Sequence, residues 1–476
     1  MNTLYDITII GSGPGGYRAA VLAALRKQKV AIVEKQDWGG CCLNRGCVPK
    51  KAWHNTAKIL NKNNKLNNIG IKGQLTPDFN TAWQHQHKVT STIRENYTNY
   101  MKRLGIDFFD GHGSIKDKGT SEHHLVHVSN NGQSDHLLSS LNVIIATGSQ
   151  PKTSQVFDIQ SDRILSTDDM FDKLPPEGDD IAIIGSGVIA TEFAYILQSL
   201  GKDIHWHARS AMLSNSEFSP QAIKALRGKL DTHKLSPVLE LPIRAEEKDN
   251  KIRIHFQDGS SHEHDWLLLA TGRTPFTNDL GLENTNVTLD EAGFVRTNQF
   301  LETSEAKIYA IGDVRSQQMT ANQAIADANV AVDNIINGNK IEFDETWVPQ
   351  AIYSAIEMAK IGLDEDAAED NDYEPAVGFS AFEASPSALG QDETEGYVRI
   401  ISDMDSGEFL GGEVIGENAA EIIHLMSLPQ NKEVSLQDFA KLTVNHPSRT
   451  EEIVNATETL ANKWGLEAFI FSSPDK

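Results

Sequence analysis

Cys42 and Cys47 are the residues of this sequence whose type and spacing point most directly to chemistry. They are separated by four residues within GGCCLNRGCVPKK, and Cys41 is the only other cysteine among 476 residues. Three cysteines are too few to hold a fold of this size together by disulfides. A disulfide that closes so short a loop also adds little stability. The segment therefore predicts a redox-active disulfide between Cys42 and Cys47.

The cysteines follow a pattern that predicts a strand, a glycine turn, a helix and a second strand, in ITIIGSGPGGYRAAVLAALRKQKVAIVEK. Gly11, Gly13 and Gly16 fit GxGxxG, which permits a tight turn and the close approach of a pyrophosphate to the start of the helix. Glu34 ends the second strand, where the ribose of a dinucleotide needs a hydrogen-bond acceptor. Together they predict a dinucleotide-binding fold. Neighbouring candidate contacts are Pro14, Gly15 and Gly40.

A second pattern of the same kind lies in the middle of the chain, in DIAIIGSGVIATEFAYILQSLGKDIHWHARS. Gly185 and Gly187 form its turn, and Ala190 stands at the position of the third glycine. Ile189, in the same turn, is a further candidate contact. Two such patterns imply that the chain binds two dinucleotides.

These motifs resemble those of the flavoprotein disulfide reductases, which include dihydrolipoamide dehydrogenase, glutathione reductase and mercuric reductase. The resemblance covers essentially the whole chain. It implies that Cys47 faces an FAD, that Cys42 exchanges with the substrate, and that Glu192 pairs with Lys51, with Lys50 as the alternative partner. Cys41 stands where the family usually has threonine. It is therefore either a small buried side chain or a third thiol that could trap or resolve a mixed disulfide.

The resemblance also assigns cofactor contacts along the chain. Two strands end in the same triplet, ATG, and mark crossings between domains; a later strand ends in Gly312-Asp313 before a helix that begins around residues 319–321. The aspartate is implied to contact FAD, and the helix to place backbone amides near the flavin ring. The candidates in these segments are Gly113, Ala146, Thr147, Gly148, Gly272, Gly312, Asp313, Met319, Thr320 and Ala321.

Near the C-terminus, LTVNHPSRTEEIV matches the HPxxxE acid–base pair of the family, with His446 and Glu451 as its members. An imidazole near Cys42 can accept the thiol proton while the carboxylate fixes its tautomer and supports its charge. A cysteine whose free pKa is about 8.5 can then react near neutral pH. Glu452, beside the pair, is expected to face solvent.

The coenzyme of the second site is predicted from the end of its second strand, where NAD-specific folds place an acid on the ribose hydroxyls. Ala208 takes that position and Arg209 follows. The string therefore has no carboxylate to repel a 2′-phosphate, and it has a guanidinium that can bind one. ARS resembles mercuric reductase, which uses NADPH, whereas dihydrolipoamide dehydrogenases generally use NAD. We expect NADP, with NAD as the alternative.

The predicted fold class is α/β, with two Rossmann-like dinucleotide-binding domains and a C-terminal α+β dimerisation domain. The predicted boundaries are 1–150 and 271–344 for the two parts of the FAD domain, 151–270 for the NAD(P) domain and 345–476 for the interface domain. By resemblance the protein is a homodimer in which His446 serves Cys42 of the other subunit. Between residues 52 and 110 the expected elements are helices, with buried side chains at Trp53, Ile59, Leu60, Trp83 and Ile93.

The resemblance implies electron flow between a nicotinamide coenzyme, FAD, the disulfide and a small-molecule or lipoyl-domain dithiol/disulfide substrate. LN within the cysteine motif and GPGGY resemble dihydrolipoamide dehydrogenase, whereas VPKK resembles glutathione reductase. Val21 stands where glutathione reductases have an arginine, and no cysteine follows Cys47 to supply the C-terminal pair of mercuric reductase. A dihydrolipoamide dehydrogenase-like enzyme is therefore predicted. The alternatives are an NADPH-dependent reductase of glutathione or another small disulfide, a flavoprotein transhydrogenase, and a non-catalytic FAD-bearing subunit.

Composition limits the partners. A net charge of −23 argues against nucleic acid and against anionic membranes, because both bind basic surfaces. The sequence has no apolar run of the roughly 18 residues that span a membrane. It begins with a strand pattern rather than a signal peptide, and no metal site is predicted. We therefore expect a cytoplasmic protein.

Overall fold

The structure is a computed structural model, and it describes residues 3–116, 123–130, 135–427 and 435–471. The chain separates into two compact units. Unit 1 comprises Met1–Asn55, Asp78–Gly185 and Glu240–Phe343, and unit 2 comprises Thr56–Pro77, Ser186–Leu239 and Asp344–Lys476. The division into four segments that the sequence predicts, at residues 1–150, 151–270, 271–344 and 345–476, remains a prediction.

Strands alternate with α-helices between residues 4 and 34 and between residues 164 and 239, whereas the strands of residues 107–166 and 238–310 follow one another with no α-helix in the described chain between them. The strands are β1 Leu4–Ile10, β2 Val30–Glu34, β3 Asp107–Asp110, β4 His112–Ile115, β5 His124–Ser129, β6 His136–Ile145, β7 Ser149–Pro151, β8 Ile164–Ser166, β9 Asp180–Ile184, β10 Asp203–Ala208, β11 Val238–Leu239, β12 Pro242–Lys248, β13 Lys251–Phe256, β14 Ser261–His264, β15 Trp266–Leu269, β16 Arg273–Pro275, β17 Ile308–Ala310, β18 Gln350–Tyr353, β19 Glu357–Gly362, β20 Pro375–Ala381, β21 Gly396–Asp403 and β22 Phe409–Gly416. The α-helices are α1 Pro14–Leu25, α2 Gly40–Arg45, α3 Cys47–Asn61, α4 Phe79–Arg103, α5 Asp169–Asp172, α6 Val188–Ser199, α7 Pro220–Thr232, α8 Ala321–Asn337, α9 Glu365–Asp370, α10 Pro386–Gly390, α11 Ala419–Ile422, α12 Leu436–Ala440, α13 Glu451–Trp464 and α14 Glu467–Phe471.

The largest sheet of unit 1 has the order β3-β2-β1-β6-β5-β4, with β17 paired to β6. β1 runs parallel to both β2 and β6, as expected of a dinucleotide-binding fold. β1 and β2 are mostly apolar and buried along their length, as expected of parallel strands that are covered on both faces. Ile7 and Ile9 share one core with Ala19 of α1 and Ala331 of α8, whereas Ile10 belongs to a core on the other face. The predicted α/β class is confirmed.

Smaller sheets complete unit 1. β15 lies between β9 and β8 and is parallel to both. β12, β13 and β14 form an antiparallel sheet. The two short strands that follow the ATG triplets, β7 and β16, pair with each other in antiparallel register, Ser149 opposite Pro275 and Pro151 opposite Arg273. The repeated triplets of the sequence therefore lead into neighbouring strands.

Unit 2 contains the antiparallel sheet β18-β19-β22-β21-β20. Helix α13 covers it with Ile453, Ala456 and Leu460, which are buried in one core with Val398 and Val414 of the sheet. The contact is close, since a Cβ added at Gly378 of β20 would lie 2.1 Å from the carbonyl oxygen of Ala456. This sheet and helix place the start of α13, where Glu451 lies, on a rigid support.

Two expectations about burial are wrong. Ile59 was expected to be buried but is 59% exposed, whereas Trp53 on the same helix is fully buried. Glu452 was expected to face solvent but is only 2% exposed. Its Oε2 accepts hydrogen bonds from the Ser380 hydroxyl (2.6 Å) and the Asn455 amide (2.8 Å), which compensate the burial of the charge. Leu60, Trp83 and Ile93 are half-buried. Within the described residues, the helices are all too short or too polar to cross a membrane.

Candidate active site

The first glycine turn has the form that a bound pyrophosphate needs. Gly11, at φ 104°, adopts a conformation that favours glycine, and a Cβ added at Gly16 would lie 1.9 Å from the Gly11 carbonyl oxygen. The start of α1 is thus pressed onto the end of β1. A Cβ added at Gly13 would meet no atom of the described chain within 4 Å, so the N-terminus of α1 is open on that side. Pro14, the first residue of α1, suits this position because it lacks an N–H.

Glu34 lies at the end of β2, as predicted, and its carboxylate reaches across the turn. Its Oε2 accepts hydrogen bonds from the Ser12 amide (3.0 Å) and the Ser12 hydroxyl (2.6 Å). The Ser12 hydroxyl in turn accepts from the Gly39 amide at 2.9 Å. A Cβ added at Gly40 would lie 2.7 Å from the Gly13 Cα. The cysteine segment therefore begins directly against the turn, and the turn, the acid and the open helix end fit a dinucleotide such as FAD.

The cysteine segment consists of two helices that meet at Gly46. Cys41 and Cys42 lie on α2, and Cys47 begins α3. Arg45, which is buried, anchors α2 through ion pairs with Asp37 and Asp172, the latter at 2.7 Å. This anchoring holds the reactive turn in a defined geometry.

Cys42 and Cys47 are both thiols in the structure, and they hydrogen-bond to each other. That hydrogen bond and burial raise the pKa of the Cys42 thiol well above its ordinary value. Cys47 is the more exposed of the two. A thiol with a raised pKa stays protonated near neutral pH, so Cys42 needs a base before it can act as a nucleophile.

Asp313 lies in a short turn after β17, next to Gly312 at φ 73°. Burial raises the pKa of Asp313, and its Oδ2 accepts a hydrogen bond from the Ser149 hydroxyl at 2.6 Å. α8 begins at Ala321, as expected, and Thr320 caps it by accepting from the Gln323 amide at 3.1 Å. Met319 precedes the cap. The roles of these residues as flavin contacts remain a prediction.

Asp327 is a residue of this region that the sequence did not single out. It is fully buried on α8, where it accepts hydrogen bonds from the Gly312 amide (2.7 Å) and the Arg315 guanidinium (2.9 Å). It therefore holds the turn that carries Asp313. Its signal in the sequence was an acid on the apolar face of a helix, as the seventh residue of α8.

The remaining predicted contacts of unit 1 lie on strand ends. Gly148 and Gly272 both have positive φ, 71° and 106°, immediately before the paired strands β7 and β16. The Thr147 hydroxyl donates to the Phe276 carbonyl at 2.7 Å, next to the half-exposed start of β7. Ala146, directly after β6, is buried. Gly113, in β4, packs against Ile10 and Val33, since an added Cβ would come within 3.2 Å of both.

The second glycine turn begins with Gly185 and continues in unit 2, where Gly187 precedes α6 and Ile189 is half-buried. Arg209 is exposed directly after β10, as the sequence predicts. The loop that carries it is fastened to the turn, because the Ser210 and Ser186 hydroxyls lie 2.9 Å apart and the Leu213 amide donates to the Ser186 carbonyl at 2.8 Å. The loop that follows β10 is thus held against the turn that precedes α6.

Glu192 is fully buried on α6, so it is not an ordinary solvated helix acid. Its Oε1 accepts a hydrogen bond from the Tyr353 amide at 2.7 Å. Burial of a carboxylate requires such partners. Its pairing with Lys51 remains a prediction.

His446 and Glu451 are in contact. His446 Nδ1 lies 2.7 Å from Glu451 Oε2, and the other carboxylate oxygen accepts from the Ser448 amide at 2.5 Å. These hydrogen bonds lower the pKa of Glu451, which is therefore the acceptor, and Nδ1 carries the shared hydrogen. Nε2 is then the atom that exchanges a proton. The His446 side chain is 71% exposed, so the ring is accessible to another group.

Comparisons with known proteins cover nearly the whole chain. Residues 5–328 match the family described as pyridine nucleotide-disulphide oxidoreductase, and residues 348–457 match its dimerisation domain. Dihydrolipoyl dehydrogenase of Chlamydia trachomatis is 31% identical over 458 residues, which are 95% of this chain and 96% of the relative. Dihydrolipoyl dehydrogenase of Bacillus subtilis is 30% identical, over 96% of this chain and 98% of the relative.

Solved structures share the fold. LpdA from Mycobacterium tuberculosis superposes with a TM-score of 0.89 at 20% identity, covering 96% of this chain and 99% of that one. A flavoprotein disulfide reductase from Escherichia coli, RclA, has a TM-score of 0.82 at 21% identity, covering 96% and 100%.

Proposed function

Because the chain belongs to the pyridine nucleotide-disulphide oxidoreductases, we propose that it transfers electrons between a nicotinamide coenzyme and a dithiol/disulfide substrate of the lipoyl type. The observation that carries the proposal is the contact between the Cys42 and Cys47 thiols on a segment that begins against the first glycine turn. The names of the relatives, dihydrolipoyl dehydrogenase, support the choice of substrate class.

FAD would be held by the first turn, by Glu34 and by the Asp313 region. When bound, it supplies the two-electron exchange that links a nicotinamide to a thiol pair, which amino acid side chains cannot perform. The backbone amides at the start of α1 would face the pyrophosphate, since that helix end is open and carries partial positive charge. The buried Asp313 would accept hydrogen bonds from cofactor hydroxyls.

The protein residues move the proton in the thiol exchange. Attack of the Cys42 thiolate on a substrate disulfide requires prior loss of the thiol proton, and the raised pKa of Cys42 makes that loss unfavourable at neutral pH. His446 Nε2 would accept this proton while Glu451 stabilises the resulting imidazolium across the 2.7 Å contact. The attack breaks the substrate S–S bond and forms a mixed disulfide, and the imidazolium would give its proton to the substrate thiolate that leaves. In the reverse direction it would give the proton to the Cys42 thiolate.

We propose that the active unit is a homodimer, in which the His446–Glu451 pair of one subunit serves the Cys42 of the other. The match of residues 348–457 to the family's dimerisation domain supports this arrangement. A cytoplasmic location, where cellular thiol pools are kept reduced, remains part of the proposal.

A steady-state panel tests the substrate. Lipoamide and glutathione disulfide are assayed with NADH and NADPH in turn, along with dihydrolipoamide and the oxidised coenzymes. We expect lipoamide to be the better substrate by at least about a hundredfold in kcat/KM, because Val21 is a buried valine of α1 and cannot bind the carboxylates of glutathione. A preference for glutathione disulfide would favour the glutathione reductase-like alternative. Coenzyme-to-coenzyme hydride transfer without disulfide reduction would favour a transhydrogenase.

The proposed coenzyme is NADPH, and Arg209→Ala tests that choice. The exposed guanidinium follows β10 on a loop fastened to the glycine turn, where a 2′-phosphate would meet it. Loss of a charged hydrogen-bond partner costs about 1.5–3 kcal/mol, or one to two powers of ten in affinity. The KM for NADPH should rise by that factor and the KM for NADH should stay within about twofold. Equal effects on the two coenzymes would contradict the assignment, and Arg227→Ala, a charge change on α7, serves as control.

A further inference from the structure

Cys41 belongs to a continuous series of hydrogen bonds within unit 1. The proposed electron transfer gives no role to Cys41 or to its first partners in this series, Asp168 and Arg273. Its Sγ lies 3.7 Å from Asp168 Oδ1, as a thiol donor to a carboxylate. Arg273 binds the same carboxylate through two nitrogens, Nη1 to Oδ1 at 2.7 Å and Nη2 to Oδ2 at 3.4 Å. Asp168 thus receives hydrogen bonds from both the cysteine segment and β16.

The series of hydrogen bonds continues from Arg273 to the predicted flavin contact region. Arg273 Nε donates to the Ser149 hydroxyl at 2.7 Å and Nη2 donates to the Ser149 carbonyl at 2.9 Å. The Ser149 hydroxyl in turn donates to Asp313 Oδ2 at 2.6 Å. The Arg273 guanidinium therefore links two carboxylates: it binds Asp168 directly, and it reaches Asp313 through the Ser149 hydroxyl. This arrangement uses the planar fork of arginine, which a lysine could not reproduce.

We propose that Asp168 is a positioning residue: with Arg273 it holds the Cys41 thiol as a hydrogen-bond donor and ties the redox-cysteine segment to the turn that carries Asp313. Cys41 is then a structural thiol that takes no part in disulfide exchange. Cys41 is half-buried, and of the two roles that the sequence left open, its contact with Asp168 favours a packed side chain over a third exchanging thiol.

Charges around the thiol agree with this role. Burial raises the pKa of Cys41 to about 12, and Arg273 opposes that effect while Asp168 adds to it. The other groups that face the thiol are Cys47 at the start of α3 and Asp313 after β17, and each raises the pKa further. Since Asp168 both repels the thiolate and neutralises Arg273, removing its charge should lower the pKa of Cys41, and removing the charge of Arg273 should raise it.

The inference rests on the proposed function only through the identity of Asp313 as a flavin contact, so the test uses a protein without the redox pair. In FAD-loaded Cys42→Ser/Cys47→Ser protein, Cys41 is the sole cysteine of the chain. Its rate of alkylation by iodoacetamide is followed against pH by intact-mass spectrometry. Each unit by which the pKa falls raises the thiolate fraction, and hence the rate at pH 8, about tenfold.

Asp168→Asn in this background should accelerate alkylation at pH 8 by at least about tenfold, and Arg273→Gln should slow it. A change of the alkylation rate in opposite directions in the two variants indicates an electrostatic effect. Loosening of the structure would instead accelerate alkylation in both variants. Asp169→Asn is the matched control, because Asp169 is adjacent but binds Ser166 instead of Cys41 or Arg273. Superimposable pH profiles for Asp168→Asn and its parent, or acceleration in both charge variants, would overturn the proposal.

Discussion

Replacing Cys42 with serine should lower disulfide reductase turnover by about a thousandfold or more. Removal of a covalent nucleophile lowers the rate of other enzymes by a comparable factor. The physical reason is that a serine hydroxyl cannot exchange with a disulfide at neutral pH, and the family assigns the exchange to this sulfur. Cys47 would remain and should still interact with the oxidised flavin. Turnover is measured with lipoamide and both reduced coenzymes.

Two variants serve as controls for the Cys42 prediction. Cys47→Ser should lose turnover to the same extent but should also remove the interaction with the flavin, because the two sulfurs have different partners. Cys41→Ser should keep most of its activity, since a serine hydroxyl can donate to Asp168 in place of the thiol. If Cys42→Ser retained full turnover, the assignment of the exchanging thiol would be wrong.

Replacing His446 with glutamine should lower turnover by about a hundredfold to ten-thousandfold, the usual contribution of a positioned acid–base group. The remaining activity should rise steadily with pH. Without the imidazole, the Cys42 thiol must ionise unaided, and its raised pKa places that ionisation well above neutral pH. In the wild type the imidazole can accept the thiol proton, so the rate should depend less steeply on pH. Initial rates between pH 6 and pH 10 test both statements.

Glu451→Gln should lower turnover less than His446→Gln, because the amide can still bind the ring but cannot support its positive charge.

Heterodimers of two variant chains test whether the site is shared across the dimer. Heterodimers of a Cys42→Ser chain and a His446→Gln chain should recover activity, since one of their two sites combines an intact Cys42 with an intact His446. Complete inactivity of such heterodimers would contradict a site shared between subunits.

Local patterns in the sequence predicted the parts of the site that local geometry determines. The first glycine turn, Glu34 at the end of β2 and the start of α8 each depend on a few consecutive residues, and all have the expected positions. The contact between His446 and Glu451 also follows from one turn of chain. Such features can be predicted from the sequence because the backbone conformation of a short segment brings their side chains together.

Contacts between residues far apart in the sequence could not be predicted in the same way. The partners in the chain from Cys41 to Asp313 lie 127, 105, 124 and 164 residues apart, so no spacing in the sequence connects them. The repeated ATG triplets were interpreted only as crossings between domains, and the pairing of the strands that follow them was not predicted. Arg273 and Ser149 occupy those two strands.

Glu452 shows how helix periodicity could have corrected a prediction. It lies four residues before Ala456 and eight before Leu460, which are buried on the same face of α13. A charged residue on that face was assigned to solvent by type rather than by position. Ser380 lies on β20, and the sequence did not show that it could compensate the buried carboxylate.

The central claim, that Cys42 and Cys47 form a redox pair coupled to FAD, is tested most directly by anaerobic titration of the purified holoenzyme with dithionite. The account predicts a long-wavelength charge-transfer absorption that reaches its maximum at two electrons per subunit, because the dithiol forms first and the Cys47 thiolate then contacts oxidised flavin. Cys47→Ser should lack this absorption. Direct bleaching of the flavin by the first two electrons, with no charge-transfer band, would contradict the account.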